Sequence, residues 1–278
     1  MKISKAVITA AGPDQQHLPL QTLVSSSGET KTVLSLLLDE ALSAGIREIG
    51  IVIAPGTQQD FETAAGEHLE KVTFIEQKDP LGFGHAVLCA RDFVASDSFL
   101  LLVGDHLYLS GKDRSCMGQL IEMATREKCP VSAVQATHES QLPYYGVVGG
   151  KRIPGSSELY DIEKIIEKPS PTEAEQDLII PGLRAGSYLC FYGMHVLTNS
   201  VMEQLEKSFS QNSSRLSLTP SLCAAAQNER YLALEIKGRR FNIGEPYGLL
   251  NANLGMALAG PERDEVMGSI IELIAATR

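Results

Sequence analysis

The sequence predicts an α/β protein with a mixed, mainly parallel central sheet and a smaller second β layer. Three observations carry that prediction. Short apolar runs alternate with helix-spaced segments through residues 1–137. The run 99–103 (FLLLV) is apolar throughout, as expected of a strand buried on both faces, and it leads into Gly104-Asp105. After Thr137 the strand-like runs are separated by loops instead of long helices. The first pattern calls for parallel strands, right-handed crossovers and helices on both faces, the last for an antiparallel or mixed layer built onto them.

Taken in order, residues 5–9 (KAVIT) read as the first strand, running into the small-residue turn Ala10-Ala11-Gly12. Residues 20–30 are polar and turn-rich, without helical period. Val33, Leu34, Leu37, Leu38 and Ala41 sit at helical spacing in 31–42, and Gly45 ends that helix. Residues 46–54 are a second strand and 58–71 an acidic helix. Strands follow at 72–75 and 99–103 with a helix at 84–91 between them, then a helix at 117–128 and a strand at 129–136. Residues 144–149, 159–167 and 186–192 are strand-like. The Pro-rich stretch 169–183 reads as an exposed connection. Short helices at 202–209 and 216–226, a last strand at 231–236 and a helix at 248–259 complete the chain. No repeat, low-complexity tract or interdomain linker interrupts it, so a single domain over 1–278 is expected.

With 278 residues the chain can bury a sizeable core. Its 44% hydrophobic and 21% charged residues are ordinary for a globular protein, and its net charge of −10 argues against a nucleic-acid or anionic-membrane surface. Five scattered cysteines without CxxC spacing read as reduced thiols. No signal-peptide core or membrane-length apolar run is seen, and a cytoplasmic location is expected.

The stretch 72–108 carries the chemistry. Open α/β sheets bind ligands at the carboxyl edge of their strands, where Gly104-Asp105 should emerge. Gln77 and the turn Leu81-Gly82-Phe83-Gly84-His85 would lie beside it. Such a turn lets backbone approach a flat ligand, and Gln offers one donor and one acceptor to a base edge. Gly12-Pro13-Asp14-Gln15-Gln16 is no G-x-G-x-x-G fingerprint, so a dinucleotide-binding reading is weak.

In order, Q-K-x-P-L-G-x-G-H-A-V from Gln77 and L-x-x-G-D ending at Asp105 resemble the sugar-nucleotide pyrophosphorylases, above all the bacterial UTP–glucose-1-phosphate uridylyltransferases. The resemblance spans nearly the whole chain and implies a Rossmann-like nucleotide-diphospho-sugar transferase fold. It implies a nucleotide-binding half (1–137), a sugar-binding half (138–247) carrying the smaller β layer, and a C-terminal helical segment (248–278). The implied ligands are UTP or UDP-glucose and a hexose 1-phosphate, with Mg²⁺ as cofactor. By the same resemblance, Ala11, Gly12, Gln77 and Gly82 contact the nucleotide. Gly146, in Tyr145-Gly146-Val147-Val148, and Glu167, in Ile166-Glu167-Lys168-Pro169, contact the sugar. Lys168 holds the sugar phosphate as a point charge. Asp105 matches the first metal carboxylate and Asn242 the second. Relatives are often dimers or tetramers, so self-association is expected.

The departures cluster on triphosphate and metal. Leu18-Pro19 fixes a register that puts Gln16 where the family carries its loop Arg. The P-K segment has no match, since Ser25-Ser26-Ser27-Gly28 stands there, and Lys31 aligns with a later lysine. Arg240-Phe241-Asn242-Ile243-Gly244-Glu245 replaces R-Y-D-C-G-D, so Asn242 offers an amide oxygen without charge, and Mg²⁺ binding is expected to be weak or lost. The late motif E-I-Q-L-T-D survives only as Arg215-Leu216-Ser217-Leu218-Thr219-Pro220. Losing a cation from the transition state typically costs orders of magnitude in rate. Three readings follow: a divergent member that binds nucleotide sugar with weakened or lost transfer; an active nucleotidyltransferase clamped by Lys31, Arg184 or Arg239; and a catalytically silent regulatory subunit.

Overall fold

The computed structural model describes residues 1–211 and 214–276. The first strand, β1 (Ile3–Thr9), is followed by a short hairpin, β2 (Thr22–Val24) and β3 (Thr30–Thr32). Sequence reading treats that stretch as irregular, because three-residue strands are too short to show a period. The hairpin holds because Leu23 is buried and the Val24 N–H donates to Asn253 Oδ1 at 3.0 Å. Helix α1 (Val33–Ser43) starts two residues later than expected, since Lys31 and Thr32 belong to β3. The Thr32 hydroxyl caps the helix by accepting from the Ser35 amide.

Strand β4 (Glu48–Ile53) leads to α2 (Gln58–Ala65), where the expected 58–71 helix stops at Gly66 (φ +53) and continues as a 3₁₀ turn. After β5 (Val72–Glu76) the expected 84–91 helix is split into α3 (Phe83–Cys89) and α4 (Arg91–Val94). Strand β6 (Ser98–Val103) is as expected, but β7 (His106–Ser110) follows at once; its alternation was hidden behind the Gly104-Asp105 turn. Helix α5 (Cys116–Glu127) is capped by Ser115, and β8 (Val131–His138), β9 (Gly146–Arg152) and β10 (Leu159–Glu167) follow.

The expected exposed connection at 169–183 contains a helix, α6 (Pro171–Asp177). Ser170 and Glu173 close a capping box at its start, and Ala174, Leu178 and Ile180 are buried. The last elements are β11 (Ser187–Leu197), α7 (Asn199–Gln211), α8 (Thr219–Asn228), β12 (Leu232–Glu235), β13 (Gly238–Asn242), α9 (Gly248–Ala257) and α10 (Arg263–Ala276). Among the described residues no helix is long and apolar enough to cross a membrane.

Nine strands form one sheet in the order β5-β4-β1-β6-β11-β8-β12-β10-β9. The half made by β5, β4, β1 and β6 is parallel. Beyond β6 only β8 and β12 run parallel, so the sheet is mixed and less parallel than the sequence suggests. The reason lies in β11. Its C-terminal part pairs with β6 (Leu197↔Phe99) and its N-terminal part with β9 (Leu189↔Val148), while its other edge pairs with β8. Strands β11, β8, β12, β10 and β9 thereby close on themselves in a barrel-like ring. The register of β11 shifts between Phe191 and His195, at Gly193 (φ +87), where a Cβ would stand 2.8 Å from Val103 Cγ2.

Side-chain alternation divides the core between the two faces. Ala6, Ile8, Ile49, Ile51, Leu100 and Leu102 pack with α1 and α5. Val7, Val52, Phe99 and Leu101 pack with residues of α3, α7 and α8. Together they explain the apolar runs read from the sequence.

Two titratable groups in this frame have shifted ionisation. Glu40 of α1 accepts the Met117 amide at 3.0 Å, and burial pushes its carboxyl up to about 7 against the lowering effect of the Met117 and Cys116 amides. The folded chain then keeps a proton that the unfolded chain has lost, so this group's stabilisation declines as pH rises from 4.5 to about 7. His195, hydrogen-bonded to Ser132 Oγ at 2.6 Å, is held down to about 4 by burial. Its contribution is lost as pH falls from 6.5 through about 4, so over the shared range the two effects oppose each other. Glu40→Gln keeps an acceptor for the Met117 amide and removes the acid. Urea unfolding should show the variant gaining stability over the parent between about pH 5 and about pH 8, reaching roughly 1–3 kcal/mol. A difference that stays constant with pH would contradict the shifted Glu40.

Candidate functional site

The carboxyl ends of β1 and β6 lie side by side, and the Gly104 N–H donates to the Thr9 carbonyl at 3.0 Å. A Cβ at Gly104 would stand 2.8 Å from that carbonyl, which is why glycine precedes Asp105. Beyond β1, the amides of Gln15 and Gln16 both donate to the Gly12 carbonyl at 2.9 Å, folding 12–16 into a tight turn. The turn aims Gln15 at Asp105. Gln15 Nε2 donates to Asp105 Oδ2 at 2.5 Å, and His106 Nδ1 donates to Oδ1 at 2.7 Å. Asp105 is only 6% exposed.

Strand β13 pairs with β7 and sets Asn242 opposite His106. Asn242 Oδ1 accepts the Gly244 amide at 3.0 Å, and its Nδ2 donates to Glu245 Oε1 at 3.1 Å. A Cβ on Gly244 would lie 3.3 Å from Asn242 Oδ1 and 3.7 Å from Asp105 Oδ2, so amide and carboxylate flank one backbone position. Glu245 Oε1 also accepts the Tyr145 hydroxyl at 2.9 Å. Beneath Tyr145 lies Arg240, its guanidinium 3.9 Å from the ring centroid, donating to the Phe191 carbonyl. Burial raises the Tyr145 phenol, partly opposed by Arg240 and reinforced by Glu245.

Gly146 and Glu167 face each other across β9 and β10, and a Cβ on Gly146 would stand 2.9 Å from Glu167 Oε2. That oxygen accepts the Thr219 hydroxyl at 2.8 Å. Lys168 follows with φ +50; its amide donates to the Tyr145 carbonyl at 3.1 Å and its side chain is exposed. Residues 81–84 pack on 215–217: Leu216 N–H donates to the Leu81 carbonyl, and Gly84 N–H to the Leu216 carbonyl. A Cβ at Gly82 (φ +104) would meet the Leu216 carbonyl at 2.7 Å, so the protein itself requires this glycine. Gln77 Nε2 donates to the Gly82 carbonyl at 3.2 Å.

Contacts and short stretches of chain (216–219, 145–146 and 10–12) together link these positions in a circuit. It runs from Gln77 through Gly82, Leu216, Thr219, Glu167 and Gly146 to Tyr145, then through Glu245, Asn242 and Asp105 to Gln15 and Gly12. It closes where Ala10 N–H donates to the Val52 carbonyl and Gln77 N–H to the adjacent Ile53 carbonyl. Ala11, Gly12, Gln77, Gly82, Asp105, Gly146, Glu167, Lys168 and Asn242 therefore border one region at the strand ends. The exception is Gln16, whose neighbour Gln15 is the one that reaches Asp105. Sequence reading also passed over Tyr145, Thr219 and Glu245 as site residues. The first stands beside Gly146 and the last closes the Asn242 motif, so proximity was the available signal; Thr219 had none.

The donor set fits a resident Mg²⁺ poorly. Asp105 has both its oxygens in protein hydrogen bonds, and the Asn242 amide oxygen accepts a backbone N–H. A hard dication is held by charged oxygens; the neighbouring carboxylate, Glu245, has Oε1 engaged by Asn242 Nδ2 and the Tyr145 hydroxyl. Elsewhere, Asp39, Glu67 and His68 bring three ligand atoms within 4.8 Å, but Lys31 already pairs with Asp39 at 2.8 Å.

The family profile described as nucleotidyl transferase matches residues 18–257. A UTP–glucose-1-phosphate uridylyltransferase of Streptococcus pneumoniae serotype 4 is 26% identical over 301 residues, covering 98% of this chain and 96% of that protein. One from Streptococcus pyogenes is 27% identical over 302 residues, covering 98% and 95%. Among solved structures, a UTP-bound UGPase from Acinetobacter baumannii superposes with TM-score 0.75 at 25% identity, over 98% of this chain and 100% of its own. A UDP-glucose pyrophosphorylase complexed with UDP-glucose gives TM-score 0.75 at 21% identity, over 91% and 98%, a likeness of fold.

Asn242→Asp should restore a second negative oxygen next to Asp105. Calorimetric titration with Mg²⁺ should show the variant binding about tenfold more tightly than the parent. Equal affinity in the two proteins would remove Asn242 from the metal position.

Proposed function

Because the chain belongs to the nucleotidyl transferase family, we propose that it is a divergent UTP–glucose-1-phosphate uridylyltransferase-like protein. It binds a uridine nucleotide sugar, or UTP with a hexose 1-phosphate, within the circuit at the strand ends, and its nucleotidyl transfer is weakened or lost. Residues 1–137 hold the nucleotide, with Ala11, Gly12 and Gly82 offering backbone and Gln77 its amide to the base. Residues 138–247 hold the sugar: Gly146 permits close approach, Glu167 accepts hydroxyl hydrogen bonds, and Lys168 neutralises the sugar phosphate. Among the described residues the Lys168 side chain has no ion-pair partner, which leaves its charge for a ligand.

The observation that carries the weakened transfer is Asp105. Both its oxygens are engaged by Gln15 and His106, and Asn242, paired with the adjacent His106 across the strands, is an amide. Attack of a sugar phosphate on the α-phosphate brings anions together, and pyrophosphate leaves with charge that must be stabilised. Of the candidate replacement cations, Lys31 is already paired. Lys31 is held by Asp39 at 2.8 Å and Glu29 at 3.8 Å, and the Arg239 guanidinium lies 5.9 Å from the Phe241 ring centroid.

The test is turnover with Mg²⁺ and a panel of nucleoside triphosphates and hexose 1-phosphates, read by mass spectrometry beside an active family enzyme. The expected outcome is little or no nucleotide sugar. Robust product would overturn the loss of transfer and turn attention to Lys31, Arg184 and Arg239. Binding is tested separately: Gln77→Ala should weaken UDP binding, and Lys168→Ala hexose 1-phosphate binding, each by about tenfold in calorimetry. Unchanged affinities would sink the corresponding assignments.

A further inference from the structure

We propose that the loop 12–18 plugs the cation position at Asp105, so that this chain binds its nucleotide free of metal. Metal-free binding rests on the proposed nucleotide site, whereas the plug stands on the geometry of the loop itself.

Asp105 is only 6% exposed, and a carboxylate at that depth must be met by donors or by a cation. The chain supplies donors. Gln15 Nε2 meets Oδ2 at 2.5 Å and His106 Nδ1 meets Oδ1 at 2.7 Å. Gln15 is itself exposed, so its amide covers the carboxylate from the solvent side. A hydrogen bond to an ionised carboxylate is of the stronger, charge-assisted kind. A neutral amide thus satisfies Asp105 and leaves no demand for a cation.

The loop is shaped to keep the amide there. A Cβ on Gly12 would stand 3.0 Å from Gln15 Oε1 and 3.6 Å from Gln15 Cβ, so the side chain folds back across Gly12. Its oxygen is turned to Gly12 and its NH₂ end to Asp105, as an acceptor-only carboxylate requires. At the other end of the loop, Leu18 Cδ1 lies 3.2 Å from where a Cβ on Gly244 would stand. Asn242 Oδ1 and Asp105 Oδ2 lie 3.3 Å and 3.7 Å from that same point. A leucine methyl therefore stands beside the two atoms a dication would have to gather. Magnesium demands a near-octahedral shell of oxygens and keeps several waters. Gln15 and Leu18 fill that surrounding with an NH₂ group and a methyl.

The experiment has two arms, both on the intact chain. In the first, Mn²⁺ binding without nucleotide is followed by the electron paramagnetic resonance signal of the free ion. Gln15→Ala removes the plug, and Gln15→Glu replaces it with a second carboxylate of the same size. Each should bind Mn²⁺ about tenfold or more tightly than the parent, and adding Asp105→Asn should abolish the gain. Gln15→Lys restores a donor and should behave as the parent. A Gln15→Glu variant that binds no better than the parent, or a gain that survives Asp105→Asn, overturns the plug. In the second arm, the parent is titrated with UDP by calorimetry, in EDTA and then in Mg²⁺. Affinity should be equal or weaker in Mg²⁺, because the metal draws UDP into a complex for which the site has no place. Tightening by about tenfold overturns metal-free binding while leaving the nucleotide site standing. A parent that binds UDP under neither condition overturns the nucleotide reading, and metal-free binding with it, while the Mn²⁺ arm still decides the plug.

Discussion

Strand β11 is the constraint on which the rest of the architecture turns. It must serve β6 with one part of its length and β9 with another while keeping β8 along its opposite edge. A regular strand cannot do this. The break at Gly193 re-aims it, and the Tyr108 hydroxyl donates to the Gly193 carbonyl at 3.1 Å, tying the break to β7. The parallel half of the sheet and the barrel-like ring are thereby held at a fixed relation. Asp105 follows directly on a strand of one and Glu167 ends a strand of the other, so backbone pairing sets where both emerge.

The site is saturated with its own hydrogen bonds. Asp105, Asn242, Glu245, Glu167 and Gln77 all hold protein partners. Ligand groups that claim these same atoms must displace protein contacts, and net affinity depends on the difference. Gln15 is the clearest case, because its amide satisfies the carboxylate oxygen that a cation would otherwise have to claim.

The parallel half of the fold was legible because its strands are buried on both faces, as 99–103 shows. The motif order also led to the correct family. What the sequence hid were features created by tertiary pairing. β7 and β13 are stabilised by each other, and neither has an apolar run of its own. The antiparallel closure depends on one glycine inside an otherwise ordinary strand. The connection around 171–177 was misjudged because Pro and Glu obscure Ala174 and Leu178, which face inward. Gln15 was passed over for Gln16 because alignment register says nothing about which side chain a tight turn projects.

The hairpin formed by β2 and β3 has a consequence for how the chain is made. Its anchors lie more than two hundred residues away: Val24 is bonded to Asn253, and Gly260 is so close to the Ser26 carbonyl that a Cβ there would stand 2.3 Å from it. Asn242 likewise reaches Asp105 only after β13 has paired with β7. A ribosome emitting this chain from its N-terminus thus releases the hairpin and the Asp105 loop long before their partners exist. Long-range pairing of this kind delays consolidation until synthesis is nearly finished. A nascent or truncated chain ending before residue 238 carries the whole parallel half, yet leaves β7 without its partner strand and Asp105 without Asn242.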